Sequence, residues 1–230
     1  MIGRRFFAAL ALGLAALVLL PSATRAAPPD LELVLAIDVS SSVDNWDYDV
    51  QMQGYAAAFQ SARLHTAITA AGGNGIAVAV IHWSDAGATK VAIDWTMLRT
   101  ADDAVRFGQR IQTTPRQWAG HLTAIGSAID FAIEMFDRGI PGGRRQVIDV
   151  SGDGRSNHGV FPGEARDRAI ARGITVNGLA IMRTPRLDVY YQQNVVGGKD
   201  AFVETVEGYH NMADGILRKL IREISGDPVS

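Results

Sequence analysis

Three short segments carry side chains able to hold a hard metal ion. The first is Asp38-Val39-Ser40-Ser41-Ser42 and the second is Thr123 within Gly120-His121-Leu122-Thr123-Ala124-Ile125-Gly126. The third is Asp153 within Ser151-Gly152-Asp153-Gly154. Asp38 and Asp153 supply carboxylates, and Ser40, Ser42 and Thr123 supply hydroxyls. All are hard oxygen donors, which suit Mg²⁺ or Mn²⁺ and serve zinc or copper poorly. Ca²⁺ ranks behind those two. An Asp-x-Ser-x-Ser turn can aim alternate side chains to one side, so the oxygens of the first segment can face one ion. Two acid charges just balance a divalent cation. An ion with so few anionic ligands stays electrophilic and can accept a carboxylate from another molecule.

Each segment also has a plainer reading. Ser40, Ser41 and Ser42 can cap a following helix, and so can Thr123. Asp153-Gly154 alone is an ordinary turn. Their joint occurrence in this order is what favours a metal site. Asp149 falls in an apolar run where an acid is costly unless paired, and Arg144 or Arg145 is the expected partner. His65, His82 and His158 lack any H-x-x-x-H spacing and read as structural or exposed. Tyr190-Tyr191 and Trp46 read as core or rim.

The elements that must position these segments alternate strand and helix. Residues 31–37 are almost continuously apolar, as expected of a strand covered on both faces. Tyr48, Met52, Tyr55 and Phe59 then recur at helical spacing. Gly72-Gly73-Asn74-Gly75 is turn chemistry, and residues 76–83 and 90–95 read as two strands joined by a short loop. A polar helix is expected over 101–112, and an amphipathic one through Ile125, Ile129, Ala132 and Phe136 that stops at Gly139. Residues 147–150 form the next strand and 164–171 the next helix. Another strand spans 174–182 with a break at Gly178, and a last edge strand spans 201–206. Met212, Ile216, Leu220 and Ile224 mark a closing helix. Such alternation predicts an α/β fold, an open parallel sheet wrapped by helices. In such sheets sites form at the carboxyl ends of strands, where all three segments fall.

With these residues in view, the sequence resembles the von Willebrand factor type A family and its metal-ion-dependent adhesion site (MIDAS). The resemblance rests on Asp38-x-Ser40-x-Ser42, then Thr123-Ala124-Ile125-Gly126 85 residues on, then Asp153-Gly154 a further 30 on. It covers about residues 30–225. Residues 36–40, 54–58, 147–154 and 173–179 further resemble a bacterial exported subgroup, the DUF1194-type proteins. The resemblance implies a six-stranded, mostly parallel sheet with one short antiparallel edge strand, here residues 90–95. It also implies that Ser40, Ser42 and Thr123 contact the metal, with Asp38 and Asp153 binding directly or through water. Two positions depart from the family pattern. His121-Leu122 stands where many relatives have a Gly pair or Gly-Arg, and Gly152 stands where Thr is usual.

Composition narrows the field. The chain has 230 residues with 47% hydrophobic and 20% charged, which suits one globular core. The first 26 residues hold Arg4, Arg5 and Arg25 and no acid; the remainder, with 19 basic and 24 acidic residues, carries net −5. That balance argues against a nucleic-acid footprint. Cysteine is absent, which excludes disulfides, thiolate metal sites and a Cys nucleophile. Arg4-Arg5, the apolar run 6–20, Pro21 and Thr24-Arg25-Ala26 have the order of a secretory signal. Fifteen helical residues reach about 22 Å, short of a bilayer's ~30 Å hydrocarbon core. The expectation is therefore a signal peptide at 1–26, cleaved after Ala26 or Ala27, and one domain over 27–230. No membrane span follows, and the chain is exported to the periplasm or beyond.

These readings point to a non-enzymatic, Mg²⁺-dependent module that captures an acidic side chain of a protein partner. His121, Leu122, Trp46, Arg155 and Asn157 are the expected rim. Two alternatives stand beside it: a metal-assisted hydrolase, and a structural component of an envelope assembly. No P-loop, G-x-S-x-G or HExxH motif supports the hydrolase.

Overall fold

The computed structural model describes residues 27–117, 120–139 and 142–226. The expected signal at 1–26 lies outside the described residues. Strand β1 (Leu31–Asp38) is buried at every position, and its side chains alternate between two apolar clusters. Leu33, Leu35 and Ile37 pack with α1 (Asn45–Gln60) and α7 (Met212–Ser225), through Tyr55, Phe59, Ile216 and Leu220. Val34 and Ala36 pack with α4 (Ile125–Arg138) and α5 (Pro162–Ala171), through Ile129, Ala132 and Ala165. The continuous apolar run is thus explained: both faces of the strand are interior.

Among the described residues, six strands form one sheet. With β2 (Ile76–Trp83), β3 (Lys90–Leu98), β4 (Gln146–Gly152), β5 (Thr175–Ile181) and β6 (Val203–Val206), the order is β3-β2-β1-β4-β5-β6. Only β3 runs antiparallel to its neighbour. This is the α/β architecture expected, with the antiparallel edge strand running on to Leu98. After β1 the chain builds outward through β2 and β3, then returns to lay β4 on β1's other side. At such a reversal the loops leaving the two central strands part and open a crevice. Asp38 is the last residue of β1, and Asp153 follows β4 directly.

Several expectations are corrected. Gly178 does not break β5; it pairs with Val150 and Val203 inside the sheet. Its lack of a side chain makes room, because a Cβ there would stand 2.6 Å from Tyr191 Cδ1. The partner of Asp149 is neither Arg144 nor Arg145 but Lys219 on α7, at 2.6 Å, with both side chains buried. Arg144 pairs instead with Asp30, and Arg145 donates to the carbonyls of Glu223 and Ile224. Helix α3 (Ala101–Gln112) has the expected bounds, but two short helices, α2 (Ala62–Ala70) and α6 (Leu187–Asn194), were not expected. In α6, Leu187 and Tyr191 are buried at i, i+4 spacing, with Val195 one turn beyond, a stripe too short to stand out from sequence.

Candidate metal centre

The two capping alternatives do not hold. Helix α1 is capped by Asp44, whose carboxylate accepts the Asp47 N–H at 2.8 Å. Helix α4 begins after Ala124 and has no side-chain cap, so the Thr123 hydroxyl is not spent there. The serines instead turn toward Asp153. Ser40 Oγ lies 3.2 Å from Ser42 Oγ, and Ser42 Oγ donates to Asp153 Oδ1 at 2.6 Å. Asp38 accepts the Ser40 N–H on Oδ1 at 2.8 Å. Its other oxygen is buried with no hydrogen-bond partner among the described residues. Thr123 faces the same loops, its Oγ1 4.0 Å from where a Cβ on Gly154 would stand. The sequence-predicted set Asp38, Ser40, Ser42, Thr123 and Asp153 therefore lies together at the carboxyl end of the sheet.

The electrostatics are those of a site that resists its own charge. Burial, and then the charge of Asp153, push the Asp38 carboxyl up to about 7, against opposing hydrogen bonds from Ser40. Asp153 is also raised, chiefly by burial, with Ser42 and Arg183 working the other way. Arg183 Nη1 stands 4.0 Å from Asp153 Oδ2, yet its closer ion pair is with Asp47. Tyr209 donates a longer bond to Asp153 Oδ2 at 3.4 Å. Among the described residues no group of three or more His, Asp or Glu side chains converges. A cation at these loops would depend on the hydroxyls, and the buried Asp38 oxygen, the Ser pair and Asp153 fit a hard divalent ion.

Residues outside the predicted set hold the loops. Arg116 Nη2 donates to the carbonyls of Val39, Ser40 and Val43 at 2.8, 3.0 and 2.7 Å, fixing the serine loop from beneath. Ser41 Oγ donates to the His121 carbonyl at 2.7 Å, tying the first loop to the second. Thr184 Oγ1 donates to the Asp153 carbonyl. Asn157, read as rim, spends its side-chain oxygen on the Thr123 N–H at 2.9 Å, while its own N–H and that of His158 bond the Thr123 carbonyl. The Leu122 N–H donates to Asp85. Arg116 lies between a helix and an ill-patterned loop, so nothing in its sequence setting marks it as a clamp.

Of the other rim residues, Trp46 is 51% and Leu122 40% exposed, and His121 and Arg155 are also exposed. Trp46 leans on the His210 ring, and Arg155 lies over Tyr190 with a bond to the Pro185 carbonyl. Phe161, 53% exposed before α5, was not singled out from sequence.

The family described as protein of unknown function (DUF1194) matches residues 28–228. No curated protein matches the chain. Many solved structures are similar, among them the following three. Proximal thread matrix protein 1 from the mussel byssus, with a zinc-occupied MIDAS motif, is 21% identical with a TM-score of 0.66, over 86% of this chain and 48% of that one. A von Willebrand factor type A protein from Catenulispora acidiphila is 16% identical with a TM-score of 0.58, over 86% and 43%. The pilus adhesin SpaC from Lactobacillus rhamnosus GG, in its open conformation, is 14% identical with a TM-score of 0.61, over 87% and 30%. The chain spans less than half the length of each of these proteins. What they share with it is the fold.

Proposed function

The chain belongs to the DUF1194 family and has the von Willebrand factor type A fold, and from that premise we propose that it is a divalent-metal-dependent protein-binding module. The observation that carries the reading is the convergence of Ser40, Ser42 and Asp153 beside a buried, unpartnered Asp38 oxygen. Ser40, Ser42 and Thr123 would hold the ion through their hydroxyls, with Asp38 and Asp153 bound directly or through water. Mg²⁺ fits such a set best, with Mn²⁺ next. When bound, the ion supplies a charged position at which a partner's Asp or Glu can displace a water. The similarity to an adhesin, and to a matrix protein whose MIDAS holds zinc, supports this reading.

The chain's own residues shape the approach. Trp46, Leu122 and Phe161 offer apolar surface, His121 stands on the same rim, and Arg155 favours an acidic partner by charge complementarity. Asn157 serves the rim indirectly, by holding Thr123. We place the module outside the cytoplasm, as one domain over 27–230 after removal of a signal at 1–26. No helix among the described residues is long and apolar enough to cross a membrane.

The test is calorimetric titration with Mg²⁺, followed by capture of partners with and without EDTA. One site is expected in the wild type and none in Asp38→Ala or Asp153→Ala. Unchanged affinity in both variants would overturn the metal site. Partner capture that survives EDTA would overturn the metal-borne contact.

A further inference from the structure

Tyr191 on α6 is wholly buried, and its hydroxyl finds no hydrogen-bond partner among the described residues. A phenol that only fills space does not need that oxygen, and burying a hydroxyl unpaired is costly. The surroundings make its placement specific. A Cβ on Gly152 would stand 2.7 Å from the Tyr191 hydroxyl and 3.0 Å from Asp38 Oδ2, with Trp83 at 3.4 Å. A Cβ on Gly178, one strand over, would meet the Tyr191 ring at 2.6 Å. Two glycines inside adjacent strands thus leave a slot for one tyrosine, although glycine weakens a strand. The end of that slot lies beside the unpartnered oxygen of Asp38.

We propose that Tyr191 is a positioning residue: its hydroxyl is the donor that holds the inner oxygen of Asp38 when the loops bind a metal ion, and Gly152 is glycine to let it reach. This rests on the reading of the loops as a metal site. Each carboxylate oxygen has two acceptor sites, so one beside an ion still takes a donor that fixes its orientation. Asp38 Oδ1 has the Ser40 N–H. Tyr191 supplies the counterpart for Oδ2 from the interior, where solvent does not reach.

The experiment compares wild type, Tyr191→Phe and Tyr191→Phe/Gly152→Ser by Mg²⁺ calorimetry and by metal-free thermal melting. Tyr191→Phe should bind Mg²⁺ roughly tenfold more weakly, the scale of one hydrogen bond to a charged group. Its metal-free melting temperature should equal or exceed that of the wild type, because an unpaired buried hydroxyl has been removed. The double variant, which returns a hydroxyl from the other side of the slot, should recover most of the affinity. Wild-type affinity in Tyr191→Phe would overturn the proposal, and so would a parallel fall in metal-free stability, which would mark a packing role alone. A double variant no better than Tyr191→Phe would overturn the part assigned to Gly152. A wild type that binds no divalent ion would instead sink the underlying reading of the site.

Discussion

Asp149 on β4 and Asp153, four residues on at its exit, each belong to a pair of buried carboxylates, and the two pairs are treated in opposite ways. Asp149 faces Glu223 across Lys219, which reaches Asp149 at 2.6 Å and also pairs with Glu223. Asn177 completes that inner group with a 3.0 Å bond to Glu223. Asp38 and Asp153 face each other across serines. Among the described residues, the one ion pair made to them is the 4.0 Å approach of a half-exposed Arg183 already committed to Asp47. A buried acid pair needs a cation before it can carry its charge. The inner pair has one built into α7. The outer pair has no lysine of its own, and on the proposed function it takes its cation from solution.

The contrast breaks most sharply at Lys219. Lys219→Met leaves Asp149 and Glu223 buried without their cation and should cost about 3–5 kcal/mol of stability, read by urea unfolding. A loss below about 1 kcal/mol would mean that the inner pair does not depend on its lysine. The outer pair should respond to an ion in solution instead. Mg²⁺ at ~100 times its Kd should stabilise the wild type by about 2.7 kcal/mol and leave Asp38→Ala unmoved. Without metal, Asp38→Ala should melt no lower than the wild type, since it removes a desolvated carboxyl repelled by Asp153. Equal melting shifts in the two proteins on adding Mg²⁺ would erase the distinction.

The smallest effect is a pH slope from the inner pair. Burial and the charge of Asp149 raise Glu223 from 4.5 to about 7, despite Lys219 and Asn177. The folded chain therefore holds this proton more tightly than the unfolded one. The stability it contributes is complete below pH 4.5 and is lost as pH rises through 7. Glu223→Gln removes that titration, so wild type and variant should diverge by about 2 kcal/mol between pH 5 and 7 in EDTA. Parallel stability curves would place the proton elsewhere.

How far the sequence carried the architecture follows from which signals are local. The closing helix was legible because Met212, Ile216, Leu220 and Ile224 repeat on one face, and all four are buried. Lys219 and Glu223 lie seven residues beyond Met212 and Ile216, so the same stripe placed them at its edge. What hid them as Asp149's partners is the distance along the chain: nearby Arg144 and Arg145 were more visible than a lysine 70 residues on. The site residues were legible as types, since Asp, Ser and Thr at strand ends advertise oxygen donors. Arg116 and Tyr191 were not, because each acts through a partner brought to it only by the fold. Gly152 and Gly178 were legible as glycines but not as space, which depends on what α6 presses against them.

The antiparallel edge strand bears on how the molecule behaves when crowded against copies of itself. An uncovered strand edge invites pairing with another chain. In β3 the invitation is withdrawn locally: the Trp95 N–H is turned to the Asp94 side chain, and the Asp94 carbonyl takes the Thr96 hydroxyl. The register with β2 is also interrupted between Val78 and Ile81, and Lys90 and Asp94 stand exposed along the edge. At the opposite border β6 offers only four residues. Neither border is a good template for zipping sheets together. Crowding copies of the chain together therefore gives neither border a long, regular row of free backbone groups to pair with.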